Sequence, residues 1–123
     1  LGDVYKRQEI GCTGIVVSNH GGRQLDGGRS SFDQLEEIVG AVGDQIDVIL
    51  DSGIQRGSHV LKALSLGAKA VGGGRFYLYA LAAAGGQGVE RALHIMHEEI
   101  ERDMRLMGVS SIQELSRDNL RFR

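Results

Sequence analysis

Gly14-Ile15-Val16-Val17-Ser18-Asn19-His20-Gly21-Gly22-Arg23-Gln24-Leu25-Asp26 is the stretch whose reading decides the fold. A short β-branched run, Gly14 to Ser18, stops in turn residues, which predicts a buried strand. A polar, glycine-rich loop follows as far as Ser30. Ser30 or Ser31 is placed to cap a helix whose apolar Leu35, Ile38, Val39 and Val42 share one face, and Gly43 ends it.

The order strand, glycine-rich loop, helix then recurs twice. Asp47 to Asp51 is a second strand, followed by Ser52-Gly53 and a helix that carries Val60, Leu61 and Leu64 on one side and stops at Gly67. Ala68 to Val71 is a third strand, followed by Gly72-Gly73-Gly74-Arg75. A last helix is predicted from about Tyr77, loosened at Gly85-Gly86 and resumed to Met107. Along it Val89, Leu93, Met96, Ile100, Met104 and Met107 form an apolar stripe that needs a covering layer. In the tail, Ser111 and Glu114 suit a capped turn. Successive βα units with apolar strands predict an α/β protein with a parallel sheet under helices. Their spacing fits a doubly wound sheet or part of a (β/α)8 barrel, and both folds gather chemistry at the carboxyl ends of their strands.

Composition excludes several classes. The 123 residues suffice for one domain, and a net charge of −2 offers no pull toward nucleic acid or an anionic membrane. There is no apolar run of about 18 residues for a membrane span, and the single cysteine, Cys12, has no internal disulfide partner. Glycine is abundant, 19 residues against no proline, and clusters behind the apolar runs, as tight loops beside a ligand would require. Residues 1–8 lack the apolar core of a signal peptide. The string Asp3 to Gln8 resembles a translated transposon-end adapter, so residues 1–8 are expected to be a non-native read-through segment, with the native sequence resuming at Glu9.

Three loops carry candidate chemistry. His20 is the side chain suited to exchanging a proton near neutral pH, Arg23 offers a fork of donors matched to a carboxylate, and Asp26 is a candidate ion partner for either. The competing reading is a glycine turn with a hydrogen-bonded histidine and a surface arginine. Asp51-Ser52-Gly53-Ile54-Gln55-Arg56-Gly57-Ser58 leads into a helix N-terminus whose free N–H groups suit an anion, with Arg56 adding charge. Gly72-Gly73-Gly74-Arg75 repeats that theme, with neither Walker nor dinucleotide spacing. His94, His97, Glu98 and Glu101 read as a solvated helix face and Cys12 as a buried thiol, so no metal site is expected.

Taken together, Gly14 to Asp26, Asp51-Ser52-Gly53, Val60-Leu61-Lys62-Ala63-Leu64, Leu66-Gly67-Ala68, Gly74-Arg75 and Met104-Arg105-Leu106-Met107-Gly108 resemble the FMN-dependent α-hydroxy-acid dehydrogenases and oxidases, with the L-lactate dehydrogenase branch nearest. The resemblance implies that residues 9–123 are the C-terminal portion, the last three βα units, of a (β/α)8 TIM barrel. It implies FMN as cofactor and oxidation of an L-2-hydroxy acid to the 2-oxo acid. His20 would be the base and Arg23 the ligand of the substrate carboxylate. Ser18 would lie near the flavin ring, with Asp51, Ser52, Gly53, Gln55, Gly74 and Arg75 around the ribityl phosphate.

Four residues depart from the family pattern. Gln55 stands where many members carry an arginine, a charge that Arg56 would have to restore. Ser52 replaces a commoner glycine, His59 an aspartate and Phe76 a proline. The resemblance leaves the electron acceptor open among oxygen, quinone and cytochrome. It implies a homo-oligomeric parent, cytoplasmic or peripheral to the inner membrane. Because the family's flavin-side lysine and substrate-binding tyrosines are expected upstream, the chain alone is expected to bind FMN poorly and to have no turnover. The alternatives are another FMN- or phosphate-binding barrel enzyme and a non-catalytic half-barrel module.

Overall fold

The structure is a computed structural model and describes residues 2–121. Three parallel strands, β1 (Gly14–Val17), β2 (Asp47–Asp51) and β3 (Ala70–Gly72), form one sheet in the order β1-β2-β3. The register pairs Ile15 with Val48, Val17 with Leu50, and Asp51 with Gly72, so the three carboxyl ends lie side by side. Among the described residues, β1 and β3 are each paired along one edge only.

Helices α2 (Ser31–Val42) and α3 (Gly57–Ser65) follow β1 and β2. Leu35 and Val42 of α2 join Val48 and Leu50 of β2 as the fully buried centre of the core. At about 1.5–3 kcal/mol for each large side chain, burial of this face is the main force holding helices to sheet. The opposite face is not covered: Val16, between the core-facing Ile15 and Val17, is 61% exposed, so β1 is buried on one face rather than two. Ser30 caps α2 as expected, its Oγ accepting the Asp33 N–H at 3.0 Å. Gly43 ends that helix with an ordinary right-handed φ of −67°.

The third strand starts two residues later than predicted. Gly67, at φ +96°, turns the chain so that its N–H and that of Ala68 still bond back to Leu64 and Ala63 of α3. Ala68 therefore closes the helix, and sheet pairing begins when Lys69 donates to the Val48 carbonyl at 2.7 Å. Helix α4 (Gly74–Met107) begins three residues earlier than expected and is broken where predicted, with Ala84 at φ −151° and Gly85 at φ +59°. Its stripe is covered only in part: Met96 and Ile100 pack on the core, while Leu93 and Met107 remain exposed. Residues Gly2–Glu9 form helix α1, whose Val4 packs against the core. In the tail Glu114 accepts from both Ser110 and Ser111, and Arg117 pairs with Glu36 of α2.

Candidate active site

The loop after β1 is fixed from within. Asn19 donates its N–H to Ser31 Oγ at 3.0 Å and accepts the Gly22 N–H at its own Oδ1 at 3.1 Å, which closes a 3-10 turn over His20–Gly22. This turn puts His20 at φ +54°, and the one other described non-glycine residue with positive φ is Ser52, at +85°. Such conformations cost on the order of 1 kcal/mol or more and persist only where surroundings enforce them.

Here the two strained residues are tied together at the ends of neighbouring strands. Ser52 Oγ accepts the Gly21 N–H at 3.0 Å and donates to Asp51 Oδ2 at 3.2 Å. Ser18 Oγ donates to the same carboxylate oxygen at 2.6 Å and accepts the His20 N–H at 3.0 Å. Ser18, Asp51 and Ser52 thus form one network that sets the backbone on which His20 stands. His20 and Arg23 are both exposed, and among the described residues their side chains make no hydrogen bond or ion pair. Asp26 is not the ion partner expected for them; its carboxylate accepts the Gly27 N–H at 3.1 Å.

The N-terminus of α3 departs from expectation. Its Gly57 N–H is taken by Glu99 of α4 at 2.7 Å, and Arg56, expected to add charge to an external anion, instead pairs with Glu99 at 2.7 Å. Hydrogen bonds from Arg56 and then from Gly57 hold the Glu99 carboxyl below its ordinary range, and the same bond raises the Arg56 guanidinium. Glu99 was not singled out from the sequence. The available signal was its position three residues after Met96 and one before Ile100, a carboxylate inside an apolar stripe.

The remaining cradle lies on the other side of the loop. A Cβ added at Gly53 or Gly74 would meet nothing within 4 Å, so the backbone there is open to a bound group. Arg75 donates to the Gly21 carbonyl at 2.6 Å, linking the third loop to the first. His59 Nδ1 lies 3.2 Å from the Gly53 carbonyl and 3.3 Å from the Gln55 nitrogen. Gly53, Ser52, His59, Lys62 and Arg75 line a cavity of about 420 Å³ whose lining carries no acidic residue. Gln55 is exposed at its edge of the loop.

Elsewhere, His94 pairs with Glu98 and His97 with Glu101, all four exposed. Cys12 is half-buried rather than buried. Among the described residues no three His, Cys, Asp or Glu cluster as metal ligands would, and no helix is long and apolar enough to cross a membrane.

Fold and site define an α/β protein that gathers a histidine, an arginine and a cationic, glycine-lined cavity at the carboxyl ends of parallel strands. The chain belongs to the FMN-dependent dehydrogenase family, whose sequence profile matches residues 1–122. The L-lactate dehydrogenase (cytochrome) of Saccharomyces cerevisiae is 50% identical over 123 residues, covering 96% of this chain and 21% of that protein. An L-lactate oxidase of Lactobacillus jensenii is 44% identical, covering 97% of this chain and 29% of that protein. The recombinant flavin-binding domain of baker's yeast flavocytochrome b2 superimposes with a TM-score of 0.90 at 49% identity, over 95% of this chain and 31% of the other. The chain therefore spans less than a third of the length of these relatives.

The family's members are oxidoreductases and their cofactor is FMN. The residues present fit that group: open glycines at Gly53 and Gly74, a hydroxyl and carboxylate network for polyol contacts, and cationic lining for a phosphate.

Proposed function

We propose that the chain supplies the last three βα units of a (β/α)8 barrel that oxidises an L-2-hydroxy acid of lactate type to the 2-oxo acid. The observation that carries this reading is the 3-10 turn at the end of β1. It presents His20 at a left-handed φ with Arg23 as the residue that ends the turn, both side chains uncommitted among the described residues. A residue held in a costly conformation by four hydroxyl and amide bonds, yet using its own ring for none of them, is poised for an external partner.

In this reading Arg23 binds the substrate carboxylate with its paired donors. His20 accepts a proton from the substrate, from the 2-hydroxyl in a hydride route or from C2 in a carbanion route. FMN supplies the two-electron acceptor. Ser18 would lie by the flavin ring, while Asp51, Ser52, Gly53, Gln55, Gly74 and Arg75 would hold the ribityl phosphate. The electron acceptor of the complete enzyme is oxygen, a quinone or a cytochrome, and that enzyme is a homo-oligomer acting in the cytoplasm or at the inner membrane face. The chain alone has no turnover, because the barrel interior beside Val16 is open to water.

The test is anaerobic mixing of the full-length enzyme carrying this chain with L-lactate. Bleaching of the flavin absorbance, lost in His20→Gln, supports the assignment. Equal bleaching in the variant overturns it.

A further inference from the structure

His59 touches two backbone groups with one nitrogen, and it cannot satisfy both in one state. With Nδ1 unprotonated, the ring accepts the Gln55 N–H across 3.3 Å; with Nδ1 protonated, it donates to the Gly53 carbonyl across 3.2 Å. Both groups belong to the loop between β2 and α3, and the ring itself lines the 420 Å³ cavity. Only the doubly protonated ring combines the bond to Gly53 with a positive charge. In that state the Gln55 N–H loses its acceptor.

No acidic side chain lines the cavity beside that charge. On its own helix Lys62 lines the cavity, and from α4 Arg75 does so. Asp51, at the end of β2, keeps its charge but lies outside the lining, its carboxylate accepting from the Ser18 and Ser52 hydroxyls. Arg56 and Glu99 neutralise each other at the α3 terminus, so Arg56 does not restore the charge absent at Gln55.

We propose that His59 is a proton-dependent ligand of this cradle, its charged ring joining Lys62 and Arg75 in binding the terminal phosphate of FMN. The proposal rests on the FMN reading above and adds a residue and a pH dependence to it. Protonation takes the cavity lining from two positive side chains to three, which matches a phosphate monoester carrying close to two negative charges at neutral pH.

The test is the FMN dissociation constant of the full-length enzyme from about pH 5.5 to 8.5 for wild type, His59→Gln and His59→Asp, with riboflavin as the ligand lacking phosphate. Comparing variants at each pH removes the phosphate's own ionisation. The wild type is expected to bind FMN about tenfold more tightly than His59→Gln at the acid end, with the ratio falling toward one at the alkaline end. His59→Asp is expected to weaken FMN throughout, and riboflavin binding is expected to be indifferent to all three side chains. Superimposable wild-type and His59→Gln profiles overturn the proposal while tight FMN binding preserves the family reading. Failure of the wild type to bind FMN at any pH overturns both. Should the variants misfold, the ring signals of isotope-labelled histidine in the wild type decide: they move at higher pH with FMN bound, and an unmoved midpoint rejects the role.

Discussion

Glu99 of α4 holds the first turn of α3 through the Gly57 N–H, at 2.7 Å, while its other oxygen pairs with Arg56. A carboxylate from the same chain thus occupies the helix terminus where an external anion was expected. That placement favours both the dipole and the unpaired N–H groups of α3.

Glu99 makes stability acid-sensitive. Its carboxyl lies below the ordinary glutamate value of 4.5 when folded. The stabilisation is therefore complete above that value and is lost as pH falls through the lower, folded one. Urea unfolding of the wild type at neutral and at acid pH is expected to show this loss, and Glu99→Gln to show less of it. Arg56→Met is expected to be the more damaging change at neutral pH. It leaves a carboxylate on a residue only 8% exposed with one N–H partner, whereas Glu99→Gln leaves a guanidinium that water can reach.

Gly57 has no room for a side chain. A Cβ there would stand 2.6 Å from the Glu99 Cβ and 2.7 Å from the Ile100 nitrogen, so α3 and α4 would have to separate. Gly57→Ala is expected to cost roughly 1–3 kcal/mol in chemical denaturation. An unchanged midpoint would refute the close approach of the two helices.

Ser52 combines backbone strain with useful hydroxyl bonds, and two variants separate these effects. Ser52→Gly removes the bonds to Gly21 and Asp51 but relieves the left-handed φ; Ser52→Ala removes the bonds and keeps the strain. The alanine variant is expected to be the less stable by about 1 kcal/mol. Equal stabilities would mean that the positive φ carries no cost.

At the site itself, His20→Gln in the full-length enzyme is expected to lower kcat by about 10²- to 10⁴-fold. Arg23→Lys keeps the charge but loses the paired fork, and is expected to cost on the order of 1.5–3 kcal/mol in kcat/KM, chiefly through KM. Steady-state kinetics with L-lactate measure both.

The fold was legible where local chemistry decides it. The β-branched runs named β1 and β2, the pair Ser30 or Ser31 bracketed the cap of α2, and Gly85-Gly86 marked the break in α4. Partners far apart in sequence were not legible. Nothing near Ala68 says that its N–H closes α3 instead of starting β3, because that depends on Gly67 adopting φ +96°. Arg56 looked free because its partner lies 43 residues away. The positions of His20 and Arg23 on one turn were readable from glycine spacing. The Ser18, Asp51 and Ser52 network beneath them was not, since it joins two strands through their register.

The sheet order has a consequence for handling the chain by itself. With β2 in the middle and all strands parallel, the vacant side of β1 and the vacant side of β3 are different surfaces. Pairing one to the other between molecules is head-to-tail, and it need not close on itself after two copies. Concentrated polypeptide is therefore expected to grow into open-ended polymers, visible as light scattering that rises with concentration, instead of stopping at a discrete dimer.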